Sequence, residues 1–452
     1  MRHLTLNNIA NLLNVTAAIP PHNTSQIITG YAVDSRKILP GQLFFALPGQ
    51  RVNGHAFLRE VKNKGAIGAV VSKETLPTDL DLPCIVVNDP LAALQKIASQ
   101  LIINSQQRVV GVTGSVGKTT TKTFIYELLS PSYRIAVSSG NSNSQIGLPL
   151  TILNDSSAQD ELLVLEMGMT EPSHILQLVA IAPPEVALIT TVALVHAANF
   201  ETLDEISKAK SEIFSHPRTK IGILPHNLAN YDYVYNVGNC QKRSFAIDTL
   251  AADYQLKLLN NQLWFKNSSG HLIGPFAKWQ INGSHHLQNL LAALAVADYF
   301  NVPKEILENV IPKLNLTKGR GQIIQHEMAL FIDDSYNASE ISTKAALVAM
   351  PTPQTTGRKI AVLGSMLELG SFSFSCHQNV AATALENVDI LYCLGSDCQP
   401  MYELWKTKGK PVYWFDQRDS LINALRQDLK KADVVLLKGS NSHMLWKVLE
   451  EL

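Results

Sequence analysis

Neither sign of charge dominates this chain: Lys and Arg together number 38, and Asp and Glu together number 38, in 452 residues. The balance excludes a global field drawing the protein to nucleic acid or to a membrane surface, so an anionic ligand must be held by local groups. That favours an enzyme acting on small molecules. Cysteine is scarce: Cys84, Cys240, Cys376, Cys393 and Cys398 are odd in number and scattered, which makes a poor disulfide framework and fits a reducing cytosol. Cys393 and Cys398 have no histidine beside them, which argues against zinc. Nowhere do about 18 apolar residues follow one another, and polar residues break every apolar run of "MRHLTLNNIANLLNV", so neither a signal peptide nor a membrane span is expected. Internal repeats, low-complexity tracts and charged tails are also missing.

The length predicts about three domains, and the patterning divides the chain into 1–89, 90–313 and 314–452. In the first region "GQLFFAL" and "AIGAVVS" read as strands, and "HAFLREVKNKG" reads as a helix closed by Gly65, giving a small α/β unit. In the second, the apolar runs "VVGV", "LLVLEM" and "VALIT" alternate with helical patterns, as buried parallel strands of a doubly wound sheet do. Alternation in "YQLKLLNNQLWFKNSSGHLIGPF" around Asn260-Asn261 and Ser268-Ser269-Gly270 predicts a small antiparallel insertion there. The third region restarts with "ALFIDD", "KIAVLGS", "DILYCLGS", "PVYWF" and "VVLLKGS", five strand candidates for a Rossmann-like sheet. The fold class is therefore α/β throughout.

The stretch "GVTGSVGKTTTK" nearly matches G-x-x-x-x-G-K-[ST], but Val112 stands where that pattern wants glycine, and the glycines fall at 111, 114 and 117. A β-branched run precedes it, and Phe124, Ile125, Leu128 and Leu129 mark one face of a following helix. A loop in that position can hold phosphates on its N–H groups from Thr113 through Gly114, Ser115, Val116 and Gly117, with Lys118 reaching the β and γ phosphates and the Thr119 hydroxyl reaching Mg²⁺. No N-K-x-D and no L-S-G-G-Q occurs, which weighs against the common GTPase and transporter classes. Glu166 and His196 follow strand patterns that look adjacent, on the edge that carries this loop.

The spacing G-x-x-G-x-x-G-K-T with further threonines resembles the ATP loop of the Mur ligase family, cytoplasmic enzymes that build the peptidoglycan precursor. "DSRKILPGQLFFALPG", "GNSNSQIGLPLTIL", "KAKSEIF", "IDDSYNAS", "VLGSMLELG" and "LLKGS" extend the resemblance over nearly the whole chain. It implies a UDP-sugar-binding first domain, a central ATP-binding domain and a Rossmann-like ligase domain. The branch it most resembles joins D-alanyl-D-alanine to UDP-N-acetylmuramoyl-tripeptide through an acyl phosphate, releasing ADP and phosphate. It implies ATP and Mg²⁺ at two sites, with Thr119, Glu166, His196 and Lys210 around the metals, Lys210 as a carbamate formed with CO₂. Taken alone, His196 reads as an exposed loop histidine, and Lys208 and Lys210 as charges on a solvated helix face.

The resemblance further assigns Asn289, Arg320, Asp334, Tyr336 and Asn337 to the nucleotide, Asp34, Ser35 and Arg36 to the uridine diphosphate part, and Asn141 and Asn143 to the reacting end of the peptide. The protein is expected to be a cytoplasmic monomer acting on small molecules only. Four departures bear on contacts: His286 stands where asparagine is usual, Ser365 where aspartate is usual, Ser339-Glu340 replace Asn-Pro, and Asn441 replaces an arginine. A sister ligase adding the third peptide residue, a folylpolyglutamate synthase, or a nucleotide-switched binding module are the rival readings. The "DSR" region speaks against the folate branch, and Glu166, His196 and Lys210 together would be superfluous in a switch.

Overall fold

The computed structural model describes residues 4–15, 26–49, 52–73, 80–194, 199–247, 249, 251–260, 262–276, 279, 281–327, 329–354 and 356–452. Among these, the strands form three sheets. The first is parallel: β1 (Gly30–Ala32), β2 (Gln42–Phe45), β3 (Gly68–Ser72) and β4 (Cys84–Val87) lie side by side in chain order. "HAFLREVKNKG" forms a 3-10 turn, Gly54–Phe57, and then a helix, Leu58–Asn63, beyond which Gly65 turns the chain at φ 88°.

The central sheet contains β5 (Arg108–Thr113), β6 (Ile135–Val137), β7 (Leu162–Glu166), β8 (Val186–Ile189), β9 (Ile221–Pro225), β10 (Gln241–Ile247), β11 (Tyr254–Leu259), β12 (Gln262–Lys266) and β13 (Leu272–Phe276). Its order is β13-β12-β11-β10-β9-β8-β5-β7-β6. The pairs from β6 to β11 are parallel, and β11–β12 and β12–β13 are antiparallel. The antiparallel insertion thus extends the edge of the main sheet. One sequence expectation is corrected: β7 and β8 are not neighbours, because β5 runs between them. Strands that follow one another in the chain flank the loop-bearing strand from both sides, which is how a doubly wound sheet opens a crevice at the carboxyl ends of its strands.

Alternation along β5 explains its burial on both faces. Val109 joins one apolar cluster with Leu94, Ile97 and Leu148, while Val110 and Val112 join another with Phe124, Ile125 and Leu290. The first cluster continues through the helix Pro90–Ile103 into Leu6, Tyr31 and Leu43 of the N-terminal unit, so the two sheets share apolar packing. The second is covered by the helices Lys118–Leu129 and Ser284–Tyr299; residues 290–297 of the latter are all buried.

The third sheet contains β14 (Gln322–Gln325), β15 (Ala329–Asp333), β16 (Lys359–Gly364), β17 (Ile390–Leu394), β18 (Val412–Phe415) and β19 (Asp433–Lys438), in the order β14-β15-β19-β16-β17-β18. The five expected strands are all present and parallel, with β14 added antiparallel at one edge. Four residues with Ile323 half exposed give little signal for β14 in the sequence. Among the described residues no helix is long and apolar enough to cross a membrane.

Candidate active site

β5 ends at Thr113, and residues 114–117 turn directly into the helix beginning at Lys118, whose cap residue Gly117 supplies no side chain. The N-terminal N–H groups of that helix are left for a ligand. Gly114 and Gly117 have φ of 149° and 84°, and each meets a close neighbour: a Cβ on Gly114 would collide with Thr190 Oγ1, and one on Gly117 with Asn289 Oδ1. Val112, at the place of the expected first glycine, is wholly buried within the strand. The chain bends only at 114, which is why the glycine spacing is shifted.

These contacts predict that Gly117→Ala folds but weakens ADP binding at least about tenfold, because a strained backbone of about 1–3 kcal/mol is added to displacement of Asn289. Gly140→Ala is the control: it shares the left-handed backbone, φ 52°, with nothing within 4 Å of the added carbon. Equal ADP affinity for the two variants, measured by calorimetry, would refute the collision argument.

Lys118 Nζ donates to Gly114 O at 2.8 Å, and burial pushes its pKa down, opposed by Glu166 and reinforced by Arg320. Thr119 Oγ1 donates to Glu166 Oε2 at 2.9 Å and Asn143 Nδ2 to Glu166 Oε1 at 2.8 Å. Glu166, at the end of β7, is 2% exposed. Arg320 Nη2 donates to Thr119 Oγ1 at 3.3 Å, and its guanidinium lies over the Tyr336 ring, 3.9 Å from the centroid. A cation from beyond the central sheet is thereby brought onto the phosphate loop. Asp334 follows β15 and accepts from Lys438 Nζ at 2.5 Å, while the same ammonium donates to Asn337 O at 3.1 Å.

One cavity of about 580 Å³ is lined by Gly114 through Thr119, Asn141, Asn143, Glu166, Lys210, Asn289, Arg320, Asp334, Tyr336 and Asn337. Most of the expected site residues therefore share one space. Thr113 is fully buried behind the loop and does not line it. The N–H of Ser115 donates to Thr191 O at 2.7 Å and its hydroxyl to Ala193 O at 2.8 Å, so that residue braces the loop against the chain after β8. His196 lies outside the described residues. Asp34, Ser35 and Arg36 sit in the N-terminal unit and do not line this cavity. There the Arg36 guanidinium grips the Asp34 carboxylate through both oxygens, at 2.9 and 2.8 Å, and holds its pKa down at about 2. The Arg36 side chain remains 84% exposed.

Lys210 is 2% exposed on the helix Leu203–Ser211. Burial pushes its pKa well below that of a free lysine, and the Lys118 charge adds to the effect. Lys208, two residues earlier, is exposed and lies 5.6 Å from the centre of the Tyr233 ring. Their different settings replace the expectation, from residues alone, that both face water. His286 is buried against His285, ring centres 4.0 Å apart. Burial, then His285 and Lys438, push its pKa down to about 2, so a neutral imidazole occupies the position where asparagine is usual.

Two buried lysines beside the site escaped sequence reasoning. Lys122 Nζ donates to Ser138 O at 2.5 Å and Gly140 O at 2.9 Å and lies 3.8 Å from Glu166 Oε2, tying the asparagine loop to the phosphate-loop helix. Lys438 holds Asp334. Both sat in motifs already singled out, "GKTTTK" and "LLKGS", which was the available signal.

Family models described as Mur ligase family, catalytic domain; Mur ligase middle domain; and Mur ligase, glutamate ligase domain match residues 27–101, 112–297 and 319–441. The chain is 31% identical to the UDP-N-acetylmuramoyl-tripeptide–D-alanyl-D-alanine ligase of Bacillus subtilis, over 99% of this chain and 98% of that one. With the enzyme of the same name from Escherichia coli the identity is 29%, over 100% and 99%. Among solved structures, MurF from Acinetobacter baumannii superposes with a TM-score of 0.84 at 26% identity, covering 100% of this chain and 99% of that one. MurF ligase from Thermotoga maritima in complex with ADP gives 0.77 at 28% identity, covering 94% and 96%.

Proposed function

The chain belongs to the Mur ligase family, and from that premise we propose that its central cavity joins D-alanyl-D-alanine to UDP-N-acetylmuramoyl-tripeptide at the expense of ATP. The observation that carries the reading is that the phosphate loop and the C-terminal groups Arg320, Asp334 and Lys438 face one cavity, in a chain that matches ligases of that name end to end. A carboxylate is a poor electrophile because its leaving group would be oxide. Transfer of the γ-phosphate gives an acyl phosphate, attack by the dipeptide amine expels phosphate, and ADP is left.

Lys118 and Arg320 are assigned to the charge on the transferring phosphoryl group, and Asp334 with Tyr336 and Asn337 to the nucleoside side. Asn141 and Asn143 are assigned to the reacting carboxylate end. Mg²⁺ fits this site: Thr119 and Glu166 offer the hard oxygen donors it prefers, and phosphate oxygens and water would complete the shell. Bound there, the ion would offset phosphate charge. Among the described residues no cluster of three His, Cys, Asp or Glu side chains is placed to hold a metal; we assign the second position to His196 together with a further oxygen donor. A carbamate on Lys210 supplies one. Its burial, without a side-chain hydrogen bond or ion pair among the described residues, and its depressed pKa favour the neutral amine that reacts with CO₂.

We assign residues 1–89 to UDP-sugar binding through Asp34, Ser35 and Arg36, 90–313 to ATP and 314–452 to nucleotide closure and the acceptor, in a monomer acting in the cytoplasm. A coupled ADP-release assay over panels of dipeptides and UDP-sugar peptides tests the reading. ADP release is expected only when tripeptide donor and D-alanyl-D-alanine are both present. ATP binding without acceptor-dependent release would leave a nucleotide-switched module, and release driven by a single amino acid would leave the sister ligase.

A further inference from the structure

Lys122 stands four residues beyond Lys118 on the helix Lys118–Leu129, yet it is 3% exposed and does not line the reaction cavity. A buried ammonium is costly unless its donors are used. Here they are used on backbone: Nζ donates to Ser138 O at 2.5 Å and to Gly140 O at 2.9 Å, with Glu166 Oε2 at 3.8 Å. Both carbonyls belong to the segment that follows β6 and runs through Asn141 and Asn143 into the helix Gly147–Asn154. The other end of that segment is pinned to the end of β7. Asn143 Nδ2 donates to Glu166 Oε1 at 2.8 Å, and the Gly168 N–H donates to Asn143 O at 2.7 Å. Ser138 closes the circuit, its Oγ accepting from the Glu166 N–H at 3.2 Å.

We propose that Lys122 is a positioning residue that sets the donor carboxylate against the γ-phosphate, an inference that rests on the ligase reading above. In the first chemical step a carboxylate oxygen bonds to the γ-phosphorus while the bond to the β–γ bridging oxygen breaks and ADP leaves. The phosphates are assigned to the N-terminus of the helix that carries Lys122, and the carboxylate to the segment that Lys122 holds. One side chain therefore joins the supports of the two reactants. Lys118 and Lys122 share a helix face by their spacing, but the first turns its ammonium into the loop and the second turns its own away, onto Ser138 and Gly140. Phosphoryl transfer depends on placement and electrostatics, and a misplacement of about 1 Å caused by a change away from the reacting atoms can cost about 10²-fold in rate.

Lys122→Met, close in length and without donors, is expected to lower kcat/KM for the UDP-sugar tripeptide at least about 10²-fold. ADP affinity, measured by calorimetry without Mg²⁺, should stay unchanged, because the phosphate loop takes no bond from Lys122. Losing a buried lysine also lowers Tm, so Lys242→Met is the control. Lys242 is 5% exposed, its Nζ donates to Val237 O at 2.7 Å, and it lies 4.7 Å from the centre of the Phe214 ring. That variant should lose Tm and keep kcat/KM. Lys122→Gln retains two amide donors without the charge and should fall between wild type and Lys122→Met. A merely structural role predicts that Lys122→Met and Lys242→Met lower Tm alike and leave kcat/KM alike, which overturns the assignment. So does a loss of ADP affinity as large as the loss of kcat/KM, or failure of both Lys122 variants to fold. Failure of the ligase reading is separate: the wild-type enzyme would then release no ADP on addition of tripeptide and dipeptide.

Discussion

Lys118→Ala is expected to lower kcat at least about 10³-fold, the upper end of what one preorganised donor contributes to a transferring charge, while the protein stays folded. The side chain lies in the loop, its ammonium bonded to Gly114 O, and the apolar clusters beneath are built from other residues. The pKa shift gives the sign for stability. Desolvation lowers the pKa in the folded state, so below the pKa of the unfolded chain the folded state carries a disfavoured ammonium. At neutral pH that is a destabilising contribution, and alanine removes it. Tm should be equal or slightly higher, while ADP release falls to background. Near-normal turnover by a folded variant would remove Lys118 from the mechanism.

The parts of this site that were legible in the sequence are those carried by local pattern. Val109, Val110 and Val112 announce a strand buried on both faces, Gly114 and Gly117 announce a loop between strand and helix, and Phe124 and Ile125 mark the helix face beneath the loop. Those signals depend on neighbours a few residues away, and the structure reproduces them. Lys122 and Lys438 were not legible because a lysine in isolation reads as solvated. Their burial is set by partners 16 and 104 residues distant, the Ser138 carbonyl and the Asp334 carboxylate. The same holds for β7 and β8, since each pattern locates its strand but only tertiary packing decides that β5 passes between them.

Lys210 separates a modified side chain from an ordinary one. If its amine is carbamylated and the resulting carboxylate helps place Mg²⁺, Lys210→Ala should lose at least about 10²-fold in kcat, comparable to removing a group that orients a metal. A short acid such as acetate or formate should then restore part of the rate by occupying the vacated oxygen position. An unmodified lysine acting as a cation predicts rescue by small amines instead. The structure makes the acid outcome the expected one: Lys210 is 2% exposed, and both burial and the Lys118 charge disfavour its ammonium. The neutral amine that reacts with CO₂ becomes scarcer as pH falls, so wild-type activity should decline at low pH and recover in part on addition of bicarbonate, whereas Lys210→Ala should not respond to bicarbonate. Lys208→Ala is the control, two residues away and rotated by about 200° on a helix of 3.6 residues per turn, its ammonium exposed beside Tyr233. It should retain near-normal turnover. A crippled Lys208→Ala beside an active Lys210→Ala would reverse the assignment, and with it the second metal position.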